Sequence, residues 1–127
     1  MRVVGLLVLL GGLLLAAAPA QAFPVMSCWN GTGQDWLDRP TTCTYSVEGG
    51  PGTRLVSLKW RRWGEPTATA TGRRVASRRR HRATVQVRRL MQCGDTATYY
   101  QEIRIKTWWP KTKPRYSQWR PLTVPRC

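Results

Sequence analysis

Four cysteines, Cys28, Cys43, Cys93 and Cys127, stand downstream of an apolar leader, and that arrangement limits the chain more than any other feature. Residues 1–22 read MRVVGLLVLLGGLLLAAAPAQA. Arg2 supplies a positive start, Val3 to Ala18 an apolar core, Pro19 a helix break, and Ala20-Gln21-Ala22 the small-residue pattern that a signal peptidase cleft accepts. A secretory signal peptide over 1–22 is expected, followed by one secreted domain over 23–127. The alternative for the leader is an uncleaved anchor, since its length is close to the ~20 residues of a membrane span. Export leads to an oxidising compartment, where an even number of cysteines reads as disulfides. Loop closure costs least between near neighbours, which favours Cys28–Cys43 with Cys93–Cys127. The rival pairing is Cys43–Cys93 with Cys28–Cys127. Zinc is disfavoured, because no C-x-x-C occurs and the single histidine, His81, lies in an arginine run.

The expected domain is all-β. Thr41–Val47, Leu55–Trp63, Thr67–Gly72, Ala83–Leu90 and Thr98–Trp108 carry a period of two, and Gly/Pro turns separate them. Val56, Leu58 and Trp60 should share one face, as should Ala83, Val85 and Val87, and Tyr99, Ile103 and Ile105. Such half-polar alternation belongs to an antiparallel sheet with one wet face. It implies a small antiparallel β-sandwich or barrel of about five to seven strands. The segment 110–127 has four prolines among basic and aromatic residues and should lie as an extended strap.

Trp60-x-x-Trp63-Gly64, Ala68-x-Ala70-x-Gly72, Val85-x-Val87, Cys93-Gly94 and Tyr99/Tyr100 resemble uncharacterised small secreted β-rich proteins of actinomycetes. The order in that group is W-x-x-W-G, A-x-G-x-G, V-x-V-x-L, C-x-G, Y-x-x-x-x-V. The likeness covers residues 60–107. Ala70 departs from it, standing where a glycine is usual, and so does the missing cysteine pair after Gly72. The resemblance implies a secreted β domain and no particular activity.

Lys and Arg number 21 against 6 Asp and Glu, a formal net charge of +15. The sharpest concentration is Arg73-Arg74-Val75-Ala76-Ser77-Arg78-Arg79-Arg80-His81-Arg82. Repulsion should hold this run open as a solvated loop between two strands. Guanidinium groups pair bidentately with phosphate, so Arg73, Arg74, Arg78, Arg79, Arg80 and Arg82 are candidate polyanion contacts, joined by Lys111, Lys113 and Arg115 in the tail. The plainer reading is a solvated run produced by a bias of 17 Arg to 4 Lys. Trp108, Trp109, Tyr116 and Trp119 alternate with cations in the tail. They form a candidate aromatic surface, or else they pack over the sheet in a core poor in large aliphatics.

No catalytic residue is assigned. His81 is surrounded by like charge, and no G-x-S-x-G or other nucleophile motif is present. No metal site and no cofactor are expected. The expected function is non-catalytic binding of anionic polymers or surfaces: cell-wall polymer, lipid headgroups or extracellular nucleic acid, the last without base-specific reading. A membrane-active or antimicrobial cationic protein is the alternative, and a small hydrolase with a paired carboxylate is a third.

Overall fold

The computed structural model describes Gly12 and residues 22–46, 52–94 and 96–127. Most of the leader, the end of the expected 41–47 strand and most of the Gly/Pro turn expected after it lie outside the described residues. The strands are β1 (Phe23–Trp29), β2 (Gln34–Leu37), β3 (Cys43–Tyr45), β4 (Thr53–Arg61), β5 (Thr67–Ala76), β6 (Arg79–Cys93), β7 (Ala97–Thr107) and β8 (Arg120–Pro121). The fold is all-β. Seven strands form one curled sheet, a half-barrel, in the order β2-β1-β7-β6-β5-β4-β3, with β8 paired to β7. The sheet is mixed rather than purely antiparallel, because β1 runs parallel to the start of β7, Phe23 to Val25 beside Ala97 to Tyr99.

Curling brings the two flanks of the sheet together. The Cys28–Cys43 disulfide ties β1 to β3, and Cys93–Cys127 ties the end of β6 to the last residue. Inside the curl lie Met26, Leu55, Leu58, Ala68, Ala70, Ala83, Val85, Val87, Tyr100 and Ile103, all nearly or wholly buried. One end of the half-barrel is plugged by aromatics. Trp63 packs edge-on against Trp60 and Tyr100, with ring centroids 4.8 and 5.1 Å away. Their polar atoms are satisfied locally. The Trp60 and Trp63 indoles donate to the Pro40 and Pro24 carbonyls, and the Tyr100 hydroxyl donates to the Glu65 carbonyl while accepting from Gly64 N.

The expected alternation holds in β6, where Ala83, Val85 and Val87 are buried between half-buried Thr84, Gln86 and Arg88. It breaks at two places. In β4 an extra residue intrudes between Val56 and Lys59, with Ser57 at φ 53°. This bulge sends Leu55 and Leu58 into the core cluster and leaves Val56 buried outside it, so Val56, Leu58 and Trp60 do not share one face. In β6 Arg89 has φ 61°, and opposite it the alternation of β7 shifts. Tyr100 is therefore the buried tyrosine, while Tyr99 lies half-buried with its ring edge-on to Trp36.

Gly72 is the counterpart of the β4 bulge. A Cβ there would meet the Val56 carbonyl oxygen and Leu58 Cδ2, both at 2.8 Å. Backbone cannot yield as a flexible side chain can. Gly72→Ala should therefore cost about 2 kcal/mol, the scale of overpacking, measured by urea denaturation.

The arginine run is not an open loop. Arg73 to Ala76 completes β5 and Arg79 to Arg82 opens β6, paired residue for residue. Only Ser77 and Arg78 turn, with φ of 46° and 67°, the two left-handed positions of a type I′ hairpin. Neither residue suits that conformation. Ser77→Asn with Arg78→Gly should raise stability by about 1 kcal/mol, seen as a higher denaturation midpoint.

Candidate polyanion interface on the outer face of the sheet

Residues that alternate with the core project from the outer face of the curl. On β5 these are Thr67, Thr69, Thr71 and Arg73; on β6, Arg82, Thr84, Gln86 and Arg88; on β7, Glu102, Arg104 and Lys106, with Trp108 following. The tail completes the face. After the turn at Pro110 the chain returns antiparallel to β7, with Tyr116 bridged to Lys106, Arg120 opposite Ile103 and Pro121 opposite Glu102. Ser117 secures the return. Its amide donates to the Ile105 carbonyl, and its hydroxyl accepts from Ile105 N. The expected strap is thus a partial edge strand.

This return slots tail rings between the cations of the sheet. Arg82 lies 4.4 Å from the Trp108 centroid, and Lys106 lies 5.0 Å from the same ring. Lys106 is also 4.8 Å from Tyr116, which Arg104 approaches at 4.3 Å. Arg104 lies 4.5 Å from Trp119, and Arg88 closes the row at 4.0 Å from that ring. The result is one unbroken ladder: Arg82, Trp108, Lys106, Tyr116, Arg104, Trp119, Arg88. Each contact is worth about 0.5–1 kcal/mol at a surface, enough in number to fix the side chains.

Stacking uses the face of a guanidinium and leaves the N–H groups on its rim. Arg104 Nε donates to Gln86 Oε1 at 2.7 Å, and Gln86 Nε2 donates in turn to Thr69 Oγ1, so a polar relay sets the orientation of Arg104. Acidic compensation is confined to one end. Glu102 pairs with Arg88 at 3.4 Å and with Arg89 at 2.9 Å. No other ladder cation has a carboxylate within ion-pair distance among the described residues.

The rest of the outer face continues in the same character. A recess of about 370 Å³ is lined by Arg61, Arg62, Thr67, Thr69 and Gln86. A second, more open one of about 340 Å³ includes Lys59, Thr71, Arg73 and Arg82. A floor of threonine hydroxyls thus carries cations on both sides.

The structure divides the residues singled out in the sequence. Arg73 and Arg82 lie on the outer face, and Trp108, Tyr116 and Trp119 belong to the ladder. Arg78, Arg79 and Arg80 stand exposed at the hairpin tip. Arg74 has the parity of the core and turns inward, its guanidinium 5.1 Å from the Trp109 ring, which also meets the His81 ring at 4.8 Å. Lys111, Lys113 and Arg115 are exposed and outside the ladder. Alternation puts Arg88, Arg104 and Lys106 on the wet face, opposite in parity to Val87, Ile103 and Ile105, but does not single them out as binding residues; their order along the ladder does.

Comparison with protein-family models, curated proteins and solved structures returns no match for this chain.

Proposed function

We propose that the protein is a secreted, non-catalytic binder of anionic polymers, and that the outer face of the half-barrel is its contact surface. The observation that carries this reading is the ladder. Four cations, Arg82, Lys106, Arg104 and Arg88, are ordered by aromatic rings, and among the described residues only Arg88 of the four also meets a carboxylate, Glu102. A ring fixes the position of a cation without cancelling its charge. The side-chain ordering that binding would otherwise demand is already met, so less entropy is lost on contact. Two disulfides are consistent with an extracellular setting.

Ring faces stacked against guanidinium groups offer little room for a sugar, which favours charge over carbohydrate stacking as the basis of recognition. The polymer is then read by its repeat of phosphate or similar groups, without base specificity. Successive outward residues of β7 are spaced by ~6.6 Å, two strand residues, so the cations form a linear array.

Salt titration tests the reading. With about four phosphates engaged on duplex DNA as probe, affinity should fall about a hundredfold between 50 and 200 mM salt. Fluorescence anisotropy reads this directly. Affinity independent of salt would exclude the outer face as an electrostatic surface.

A further inference from the structure

The inner end of the half-barrel, opposite the aromatic plug, is open and chemically unlike the rest of the core. A cavity of about 220 Å³ lies there, lined by Tyr45, Thr53, Arg74, Ile103, Ile105 and Arg120 together with Arg104 and Ser117. That volume equals several waters at ~30 Å³ each.

Three arginines line this space, none with an acidic partner among the described residues; Arg104 is stacked in the ladder and donates its Nε–H to Gln86, which leaves Arg74 and Arg120 as the guanidinium groups without such an engagement. Arg74 comes from β5 and is half-buried. Its side chain makes one long hydrogen bond, to Thr107 Oγ1 at 3.5 Å, and rests against Trp109. Burial pushes its pKa below the ordinary arginine value. Arg120 comes from β8 and is exposed. Neither has a carboxylate within ion-pair distance among the described residues. Tyr45 adds a neutral donor. Burial raises its phenol above the ordinary value of 10.0, an effect that the nearby Arg120 charge partly offsets. Among the described residues its hydroxyl is held by a 3.5 Å contact to the Pro121 carbonyl. Ile103 and Ile105 supply an apolar floor that strengthens any charge pairing above it.

We propose that this mouth is a discrete oxyanion pocket, in which Arg74 and Arg120 grip a single phosphate or sulfate group and Tyr45 donates its hydroxyl to it. Forked guanidinium donors suit a tetrahedral oxyanion better than a spherical halide. Arg104 of the ladder also lines the pocket, but the two arginines that grip the oxyanion, Arg74 and Arg120, are not ladder cations. Variants at Arg74 and Arg120 therefore test the pocket, and Arg82→Gln the outer face, separately.

The test is an NMR titration of the full protein with inorganic phosphate, with sulfate, and with chloride at matched ionic strength. The Nε–H resonances of Arg74 and Arg120 are followed. Phosphate and sulfate should give saturable shifts that chloride does not. Arg74→Gln and Arg120→Gln should each weaken the saturation about tenfold or more, the scale of a lost charge-assisted pair. Arg82→Gln, on the outer face, should leave it unchanged. Arg120 is exposed, so its variant guards against a folding defect in Arg74→Gln. A glycerol phosphate arm separates sources: tighter saturation than with phosphate means a terminal phosphoryl group, weaker saturation the free ion. Equal shifts with chloride, or unaltered saturation in Arg120→Gln, would overturn the proposal.

Discussion

Changing Arg82, Arg88, Arg104 and Lys106 together to glutamine should reduce affinity for duplex DNA about a thousandfold at low salt. Each basic residue near an anionic surface contributes ~1 kcal/mol, and ~1.4 kcal/mol is a factor of ten. The slope of log affinity against log salt should flatten by about 3–4, since each phosphate contact contributes ~0.9. The fold should survive. The tail keeps its Ser117 hydrogen bonds to Ile105, its buried Leu122 and its Cys93–Cys127 tether, none of which involves the ladder charges. A companion variant with lysine at Arg82, Arg88 and Arg104 keeps the charge and loses the planar stacking. It should keep the wild-type salt slope while affinity falls less than about tenfold. If the glutamine variant binds as tightly as the native chain, the outer face is not the contact surface.

The parts of this picture that sequence reveals are those set by local alternation. Ala83, Val85 and Val87 in β6, and Ile103 and Ile105 in β7, declare a buried face because each strand repeats with period two. The same rule fails at Ser57, because the bulge depends on a glycine, Gly72, in the neighbouring strand rather than on any residue nearby in the chain. It also fails for β1 and β2. Phe23–Trp29 has Met26, Ser27 and Cys28 buried in succession, so no alternation marks it, and besides nearby β2 it pairs with a strand that starts more than seventy residues later at Ala97. The arginine run misleads for a different reason. Repulsion between like charges argues for an open loop only while nothing else meets those side chains. Pairing sends Arg73 and Arg82 to the outer face and Arg74 and His81 to the inner one, and Trp108 and Trp109 take up the charges. The ladder lies at the limit of legibility. Its rings were visible as aromatics among cations, but their order depends on the tail folding back beside β7 so that Tyr116 meets Lys106.

Removing the Cys28–Cys43 bridge by alanine at both positions should lower the melting temperature by more than about 10 °C. The bridge closes a loop of 15 residues, for which chain entropy gives about 3 kcal/mol. One kcal/mol shifts a domain of this size by about 4–8 °C. The topology makes the bond more than a local staple. Cys28 sits on β1 and Cys43 on β3, which are near opposite ends of the strand order and do not pair with each other through the backbone. The covalent link is what holds the curl shut on that side, with Met26, Leu55 and Tyr45 packed behind it. Its loss should therefore act unevenly. Tyr45 belongs to β3 and lines the mouth pocket, so oxyanion binding there should weaken along with the closure. The outer-face ladder is built on β6, β7 and the tail, and its salt-dependent binding should persist below the new melting point. Melting by circular dichroism, with both binding assays run at 10 °C, separates the two effects. An unchanged melting temperature would mean that packing alone closes the half-barrel, and a parallel loss of both binding activities would mean that the two faces are not independent.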